Sequence, residues 1–431
     1  MTQSETWPAP CPRAPVEARV QIPGSKSLTN RWLVLAALAD GPCTLRAPLR
    51  SRDSERMVEA LRELGTTLDT SSPGAWTITP GPFRAPADVD CGQAGTVMRF
   101  VPPVAALAHG AVRFDGHETA RTRPVGPVLQ ALRDLGVEVD GGTTLPFTVH
   151  GQGRVRGGRV EIDASASSQF VSALLLTAPR FEEGLELRHT GATLPSTAHL
   201  DMTVQVLQEV GVDVTRPDER TWTVRPGPVR SFDVAVEPDL SSAAPFLALA
   251  AVTGGRVTVP GWPARTTQPG ARMQEVLATM GAATAPAPEG LVATGAEGDR
   301  LRGAELDLSD VGELTPVVAA LAVLAEGTTR LRGIGHLRGH ETDRLAALVT
   351  EISRLGGSAR ETDDGLVIDP APLRPARLAT YHDHRMAMFA AVVGARVDGV
   401  TVEDVGTADK TFPGFHRAWE DAVATGTDGA R

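Results

Sequence analysis

Ser27–Leu45 reads SLTNRWLVLAALADGPCTL. Small polar residues open it, an apolar run of helical length follows, Asp-Gly-Pro breaks the run, and a short strand pattern closes it. The run has no polar stripe, so a helix made from it is buried all round rather than laid on a surface. Five more stretches share the plan: GTVMRFVPPVAALAHGAVRF (Gly95–Phe114), SSQFVSALLLTAPRFEEGLEL (Ser167–Leu187), SSAAPFLALAAVTGGRVTV (Ser241–Val259), LTPVVAALAVLAEGTTRL (Leu314–Leu331) and HRMAMFAAVVGARVDGVTV (His384–Val402). Their starts lie about 70 residues apart, too long a period for a solenoid of small units but right for a supersecondary module.

Between them lie amphipathic segments: RDSERMVEALRELG, PVGPVLQALRDLG, HLDMTVQVLQEVG, ARMQEVLATMG and ETDRLAALVTEISRLGG. Each ends in Gly, as expected where a helix closes on a left-handed cap. Short alternating strands such as GVEVD and GVDVT follow them. The pattern predicts an α/β protein of two similar domains, each of three repeated β/α units with buried helices. Three copies fit residues 24–237 and three fit 238–431. The sixth amphipathic helix is missing from the C-terminal pattern, so residues 1–23 are expected to supply a strand to the second group. The expected domains are therefore 24–237 and 1–23 plus 238–431, with hinge crossings near 23–24 and 237–239.

The chain has 431 residues, more than one compact core usually holds. Its formal net charge of −10 and the lack of a basic block argue against nucleic acid or a membrane surface as partner. No apolar run is long enough to span a bilayer. The first 15 residues, MTQSETWPAPCPRAP, lack the apolar core of a secretory signal. Cys11, Cys43 and Cys91 have neither metal-ligand nor disulfide spacing. These features predict a cytoplasmic enzyme, expected to be a monomer.

Of 42 basic residues only Lys26 and Lys410 are lysines; the other 40 are arginines. A GC-rich genome explains most of the arginines and makes the two lysines more informative. Lys26 sits in PGSKSLTNR with Ser25, Ser27 and Arg31, at a buried-helix start. Other starts carry Gln93, Gly95, Thr96 and Arg99; Ser167, Ser168 and Gln169; Glu313; and Asp383, His384 and Arg385. Singly, these read as ordinary N-caps. Together they predict two clusters of helix N-termini facing a shared cleft, and such ends attract anions, phosphate above all. A P-loop is excluded because Ser25, not Gly, precedes Lys26, and no G-x-G-x-x-G follows a strand.

PGSKSLTNR, CGQAGTVMRF, SSQFVSALLLTAP, HETDRL, YHDHRMAM and DKTFPGF resemble, in order and spacing, the signature segments of the 5-enolpyruvylshikimate-3-phosphate synthase family, from about Val20 to Trp419. The resemblance implies the enolpyruvyl transferase fold, an inside-out α/β barrel in each domain. It implies transfer of the enolpyruvyl group of phosphoenolpyruvate to the 5-hydroxyl of shikimate 3-phosphate, with loss of phosphate, on the route to chorismate and aromatic amino acids. No metal and no organic cofactor are implied. Glyphosate is expected to occupy the phosphoenolpyruvate place. Closure of the domains on the anionic substrates is a further expectation.

Carried over position by position, Lys26, Ser27, Arg31, Ser167, Ser168, Gln169, Ser196, Glu313 and His340 match the shikimate 3-phosphate site. Lys26, Gly95, Arg121, Gln169, Arg344, His384, Arg385 and Lys410 match the phosphoenolpyruvate site. Lys26, Glu313, Glu341 and Lys410 are the implied catalytic residues, with Glu313 taking the 5-hydroxyl proton and Glu341 near C3. The residues alone leave plainer readings open. Glu341 and Arg344 are three apart and could be a surface helix pair, and His382-Asp383-His384 looks like a weak metal cluster. The chain also departs from the family pattern. His199 stands where Tyr is frequent, Gln93 for Asn, His340 for Lys, and Phe100 where others carry Pro. GHETARTRP offers both Arg121 and Arg123; the contact is assigned to Arg121 and a structural role to Arg123. The rivals are the sister transferase acting on UDP-N-acetylglucosamine, which carries a loop cysteine that this chain lacks after Cys91, and a non-catalytic anion-binding repeat protein.

Overall fold

A computed structural model describes residues 6–296, 300–339 and 341–426. The chain divides into two compact units, one of residues 24–237 and one of residues 1–23 with 238–431.

The unit of residues 24–237 holds α1 (Lys26–Leu38), α2 (Arg52–Glu63), α3 (Gly95–Ala105), α4 (Gly126–Asp134), α5 (Gln169–Thr177) and α6 (Ala198–Glu209). Helices α1, α3 and α5 come from the all-apolar stretches and are buried almost throughout. Helix α2 buries only one face, at Asp53, Ser54, Met57, Val58, Ala60 and Leu61, the spacing of an amphipathic helix on a core. Each module adds a four-stranded sheet. In the second, Ala87–Asp90 runs parallel to His109–Asp115, which pairs antiparallel with Phe147–Gln152, itself antiparallel to Glu138–Gly141. The register puts Val112 opposite Val149 and Phe114 opposite Phe147 on the buried face, where the two Phe rings stack at 4.9 Å. The first sheet is completed from the far end of the unit: Asp233–Ala235 pairs in parallel with Cys43–Arg46.

The other unit repeats the plan with α7 (Leu240–Thr253), α8 (Met273–Thr279), α9 (Thr315–Leu324), α10 (Arg344–Arg354), α11 (His384–Gly394) and α12 (Phe415–Ala424). Helices α7, α9 and α11 are its buried core. The expectation that the sixth amphipathic helix is missing is corrected here, because α12 fills that place. It buries Phe415, Trp419, Ala422 and Val423, and Phe415 and Trp419 cluster with Phe246 of α7 at centroid distances of 5.7 and 5.3 Å. The N-terminal stretch gives two strands: Glu17–Arg19 runs parallel to Arg256–Pro260, and Thr6–Pro8 antiparallel to Thr401–Glu403.

Backbone crowding explains Gly24, which opens the first of these units. A Cβ there would lie 2.3 Å from the Ala47 carbonyl oxygen, so no side chain fits. Among the described residues no helix is long and apolar enough to cross a membrane.

Candidate active site

In the unit of residues 24–237, side chains tie the starts of the buried helices together. Asn30 Nδ2 on α1 donates to Thr96 Oγ1 on α3 at 2.8 Å. Arg99 Nη1 on α3 donates to Gln169 Oε1 on α5 at 2.8 Å. Arg31 reaches furthest: its Nε donates to Thr203 Oγ1 (2.8 Å), Nη1 to the Ser27 carbonyl (3.0 Å) and Nη2 to the His199 carbonyl (3.0 Å) and Ser172 Oγ (3.4 Å). Every one of these acceptors is neutral, and Arg31 is 1% exposed with its guanidinium 5.4 Å from the Phe100 ring. Burial alone pushes its pKa down, to about 9. A buried cation held only by neutral dipoles is costly until an anion shares its environment.

Ser25 caps α1 by accepting from the Leu28 N–H, which leaves Lys26 as the first helical residue. Lys26 Nζ lies 3.5 Å from Oδ2 of Asp53, a carboxylate 2% exposed on α2. Ser168 precedes α5 and is buried, and Ser167 Oγ accepts from the Gln169 N–H at 3.3 Å. Ser196 adopts a left-handed φ of 55° in the turn before α6, and its carbonyl accepts from the His199 N–H.

Gly95 opens α3. A Cβ there would sit 2.7 Å from Nη2 of Arg123, so the guanidinium lies against the bare backbone of this helix start. Arg123 Nη1 also donates to the Gln93 carbonyl at 3.2 Å. Arg121 instead makes a two-pronged pair with Asp115, both bonds 3.0 Å, and is half exposed. Arg121 is engaged by a neighbouring carboxylate, whereas Arg123 is the arginine at Gly95.

The second cluster lies in the other unit, at the starts of α7, α10 and α11 and just before α9. Asp383 caps α11 by accepting from the Arg385 N–H and also takes Arg344 Nε (2.7 Å) and Nη2 (3.2 Å). Arg344 Nη2 further donates to Glu341 Oε2 at 3.0 Å, and Lys410 Nζ to Glu341 Oε1 at 2.7 Å. Burial works against the Arg344 charge, but Asp383 and Glu341 outweigh it and hold its pKa above the ordinary value. The plain surface-pair reading of Glu341 and Arg344 fails, since Arg344 is 2% exposed. Arg385 is also buried; its Nη1 donates to the Ser241 carbonyl at 2.9 Å, and burial lowers its pKa against the pull of Asp239 and Glu313. Glu313 lies in the short turn before α9, and its charge acts on Arg344, Arg385 and His336. His384 is buried beside Asp383, while His382 is 89% exposed, so the two histidines do not converge. No three metal-ligating side chains gather among the described residues. His340 lies outside the described residues.

Several contributors escaped the sequence reading. Asp53 looks like an ordinary first-turn acid, and Thr203 and Ser172 look like neutral helix residues; only the fold brings them to Lys26 and Arg31. Asp383 was visible as a cap but not as the carboxylate that orients Arg344. The arrangement suits a small, multiply anionic substrate, with carboxylates at hand to accept protons.

A family model described as EPSP synthase (3-phosphoshikimate 1-carboxyvinyltransferase) matches residues 11–419. A 3-phosphoshikimate 1-carboxyvinyltransferase of Kocuria rhizophila is 53% identical over 436 residues, covering 98% of each chain. An EPSP synthase structure from Acinetobacter baumannii superposes with a TM-score of 0.82 at 24% identity over 98% of each chain. The enolpyruvyl transferase NikO from Streptomyces tendae gives 0.76 at 17% identity, over 97% of this chain and 98% of that one. At such identities the two structures speak for the fold alone.

Proposed function

The chain belongs to the EPSP synthase family, and from that premise we propose that it transfers the enolpyruvyl group of phosphoenolpyruvate to the 5-hydroxyl of shikimate 3-phosphate, releasing phosphate. The 5-hydroxyl oxygen adds to C2 of phosphoenolpyruvate as C3 takes a proton. The resulting tetrahedral ketal then breaks its C2–O bond to phosphate and gives up a C3 proton.

Lys26, Ser27, Arg31, Ser167, Ser168, Gln169 and Ser196 hold shikimate 3-phosphate in this reading, with His340 and Glu313 contributing. Arg344, Arg385, Lys410 and His384 clamp phosphoenolpyruvate, with Lys26, Gln169 and Gly95 beside it; Arg123 takes the place first given to Arg121. Glu313 accepts the 5-hydroxyl proton. Glu341, bridged by Lys410 and Arg344, serves proton transfer at C3, and Lys26 and Lys410 stabilise charge on the carboxylate and phosphate. The observation that carries this reading is the Lys410–Glu341–Arg344–Asp383 chain, which puts cations and a proton acceptor together at buried helix starts. The finer reading also makes the enzyme a cytoplasmic monomer, in keeping with its three unpaired cysteines.

Phosphate release from phosphoenolpyruvate tests the substrate assignment. Shikimate 3-phosphate should support turnover and UDP-N-acetylglucosamine should not; the reverse would overturn it. Glu313→Gln should lower kcat by about 100-fold or more, the usual scale for losing an acid–base group, with little change in KM. A rise in KM alone would make Glu313 a binding residue.

A further inference from the structure

We infer that Glu351 and Tyr381 are positioning residues for the arginine clamp: together they hold the turn of residues 379–383 so that Asp383 meets Arg344 and starts α11 at Arg385. The inference rests on the reading of Arg344 and Arg385 as the phosphoenolpyruvate clamp.

Arg344 and Glu351 lie seven residues apart on α10, two turns along one face, and are 2% and 0% exposed. The 379–383 turn is fastened to both. At one end the Glu351 carboxylate accepts the Ala379 N–H at Oε2 (3.1 Å) and the Tyr381 hydroxyl at Oε1 (2.5 Å). At the other, Asp383 accepts both prongs of Arg344. Between these fastenings Tyr381 and His382 are both left-handed, with φ of 54° and 56°. Non-glycine residues pay for that conformation, roughly 1–2 kcal/mol each, so something must hold the turn. His382 is 89% exposed, and its Nδ1 lies 3.7 Å from Asp404 Oδ2, a surface pair that adds little hold. The Tyr381 hydroxyl and the Ala379 N–H, both on Glu351, supply the hold.

A fully buried carboxylate is itself expensive unless its oxygens are satisfied. Glu351 has the two turn donors and Arg354 Nη1 at 3.2 Å from Oε1. None of this set is among the residues assigned to the substrates. Its effect passes through Asp383, whose Oδ1 also accepts the Arg385 N–H. If the turn relaxes, Arg344 loses its orienting carboxylate and α11 loses its cap, so both clamp arginines shift together.

The test is steady-state kinetics on the full-length enzyme with both substrates varied, for Tyr381→Phe, Glu351→Gln and Arg344→Lys. Tyr381→Phe keeps the ring and removes only the hydroxyl. It should raise KM for phosphoenolpyruvate about tenfold, the scale of one such bond, and leave KM for shikimate 3-phosphate unchanged. Glu351→Gln keeps an oxygen for the Ala379 N–H but loses the charge that the phenol and Arg354 share, so it should raise the same KM by less than Tyr381→Phe does. A general packing role would instead lower the melting temperature and the active fraction while sparing the ratio of the two KM values; that result overturns the inference. So does a wild-type KM for phosphoenolpyruvate in Tyr381→Phe beside a raised one in Arg344→Lys. A wild-type KM in Arg344→Lys overturns the clamp reading itself, and this inference with it.

Discussion

Phe100 shows how one side chain can serve a charge it does not pair with. The sequence marks it only as a departure from the family pattern that the chain resembles. In the fold its ring lies under the buried Arg31 guanidinium, which otherwise meets only neutral oxygens. A desolvated cation on an aromatic face is worth up to about 2 kcal/mol. Phe100→Leu should therefore lower the melting temperature and raise KM for shikimate 3-phosphate several-fold while sparing KM for phosphoenolpyruvate; calorimetry and kinetics check both. The thiols make a contrasting case. Burial raises the pKa of Cys43 and Cys91, and raises that of half-buried Cys11 with help from Asp398. The reactive thiolate is thus disfavoured at all three. Iodoacetamide at neutral pH should leave turnover intact, with mass spectrometry finding little label. Lys26 and Lys410 could be singled out from sequence because lysine is rare in this chain, and Arg344 because it falls within the distinctive segment HETDRL. Asp53, Thr203 and Glu351 could not, since their partners lie 27, 172 and 30 residues away and each looks ordinary in its own segment. That Asp115 engages Arg121 and leaves Arg123 to Gly95 is a contact no local pattern reveals.

The six buried helices were legible because an unbroken apolar run of that length has few other homes. Helix α12 was not. It is short, begins at left-handed Gly414 after Pro413, and packs Phe415 and Trp419 on Phe246 rather than presenting an aliphatic face. A strand of two residues, such as Arg377–Leu378, carries too little alternation to read at all. Helix starts matter here because the residues proposed for the site sit on them. Asp343 caps α10 by accepting from the Leu345 and Ala346 N–H groups, both at 3.1 Å, and Arg344 is the next residue. Asp343→Ala should cost about 1 kcal/mol of stability and raise KM for phosphoenolpyruvate. Asp343→Asn, which can still cap, should lose only a few tenths. Chemical denaturation of the two variants side by side measures the difference.

At the scale of the molecule, the unit of residues 1–23 and 238–431 draws part of its core from the start of the chain. Trp7, Val16, Val20 and Ile22 are buried in it, and two of its sheets end on N-terminal strands. Burying such side chains is worth about 1.5–3 kcal/mol each, against roughly 5–15 kcal/mol for a whole fold. A chain lacking residues 1–22 should lose the ordered fold of this unit while the continuous unit of residues 24–237 keeps its own. Circular dichroism and limited proteolysis would read this as a resistant fragment of residues 24–237 only.

That same arrangement has a bearing on how the protein is made. The strands Glu17–Arg19 and Thr6–Pro8 leave the ribosome well before their partners at Arg256–Pro260 and Thr401–Glu403 are synthesised. The intervening unit can collapse during translation, whereas residues 6–19 have to wait, unpaired, until residues 256–260 and 401–403 have been made. Sequestration of that waiting segment, rather than any step in the middle of the chain, is where a chaperone would have most to offer.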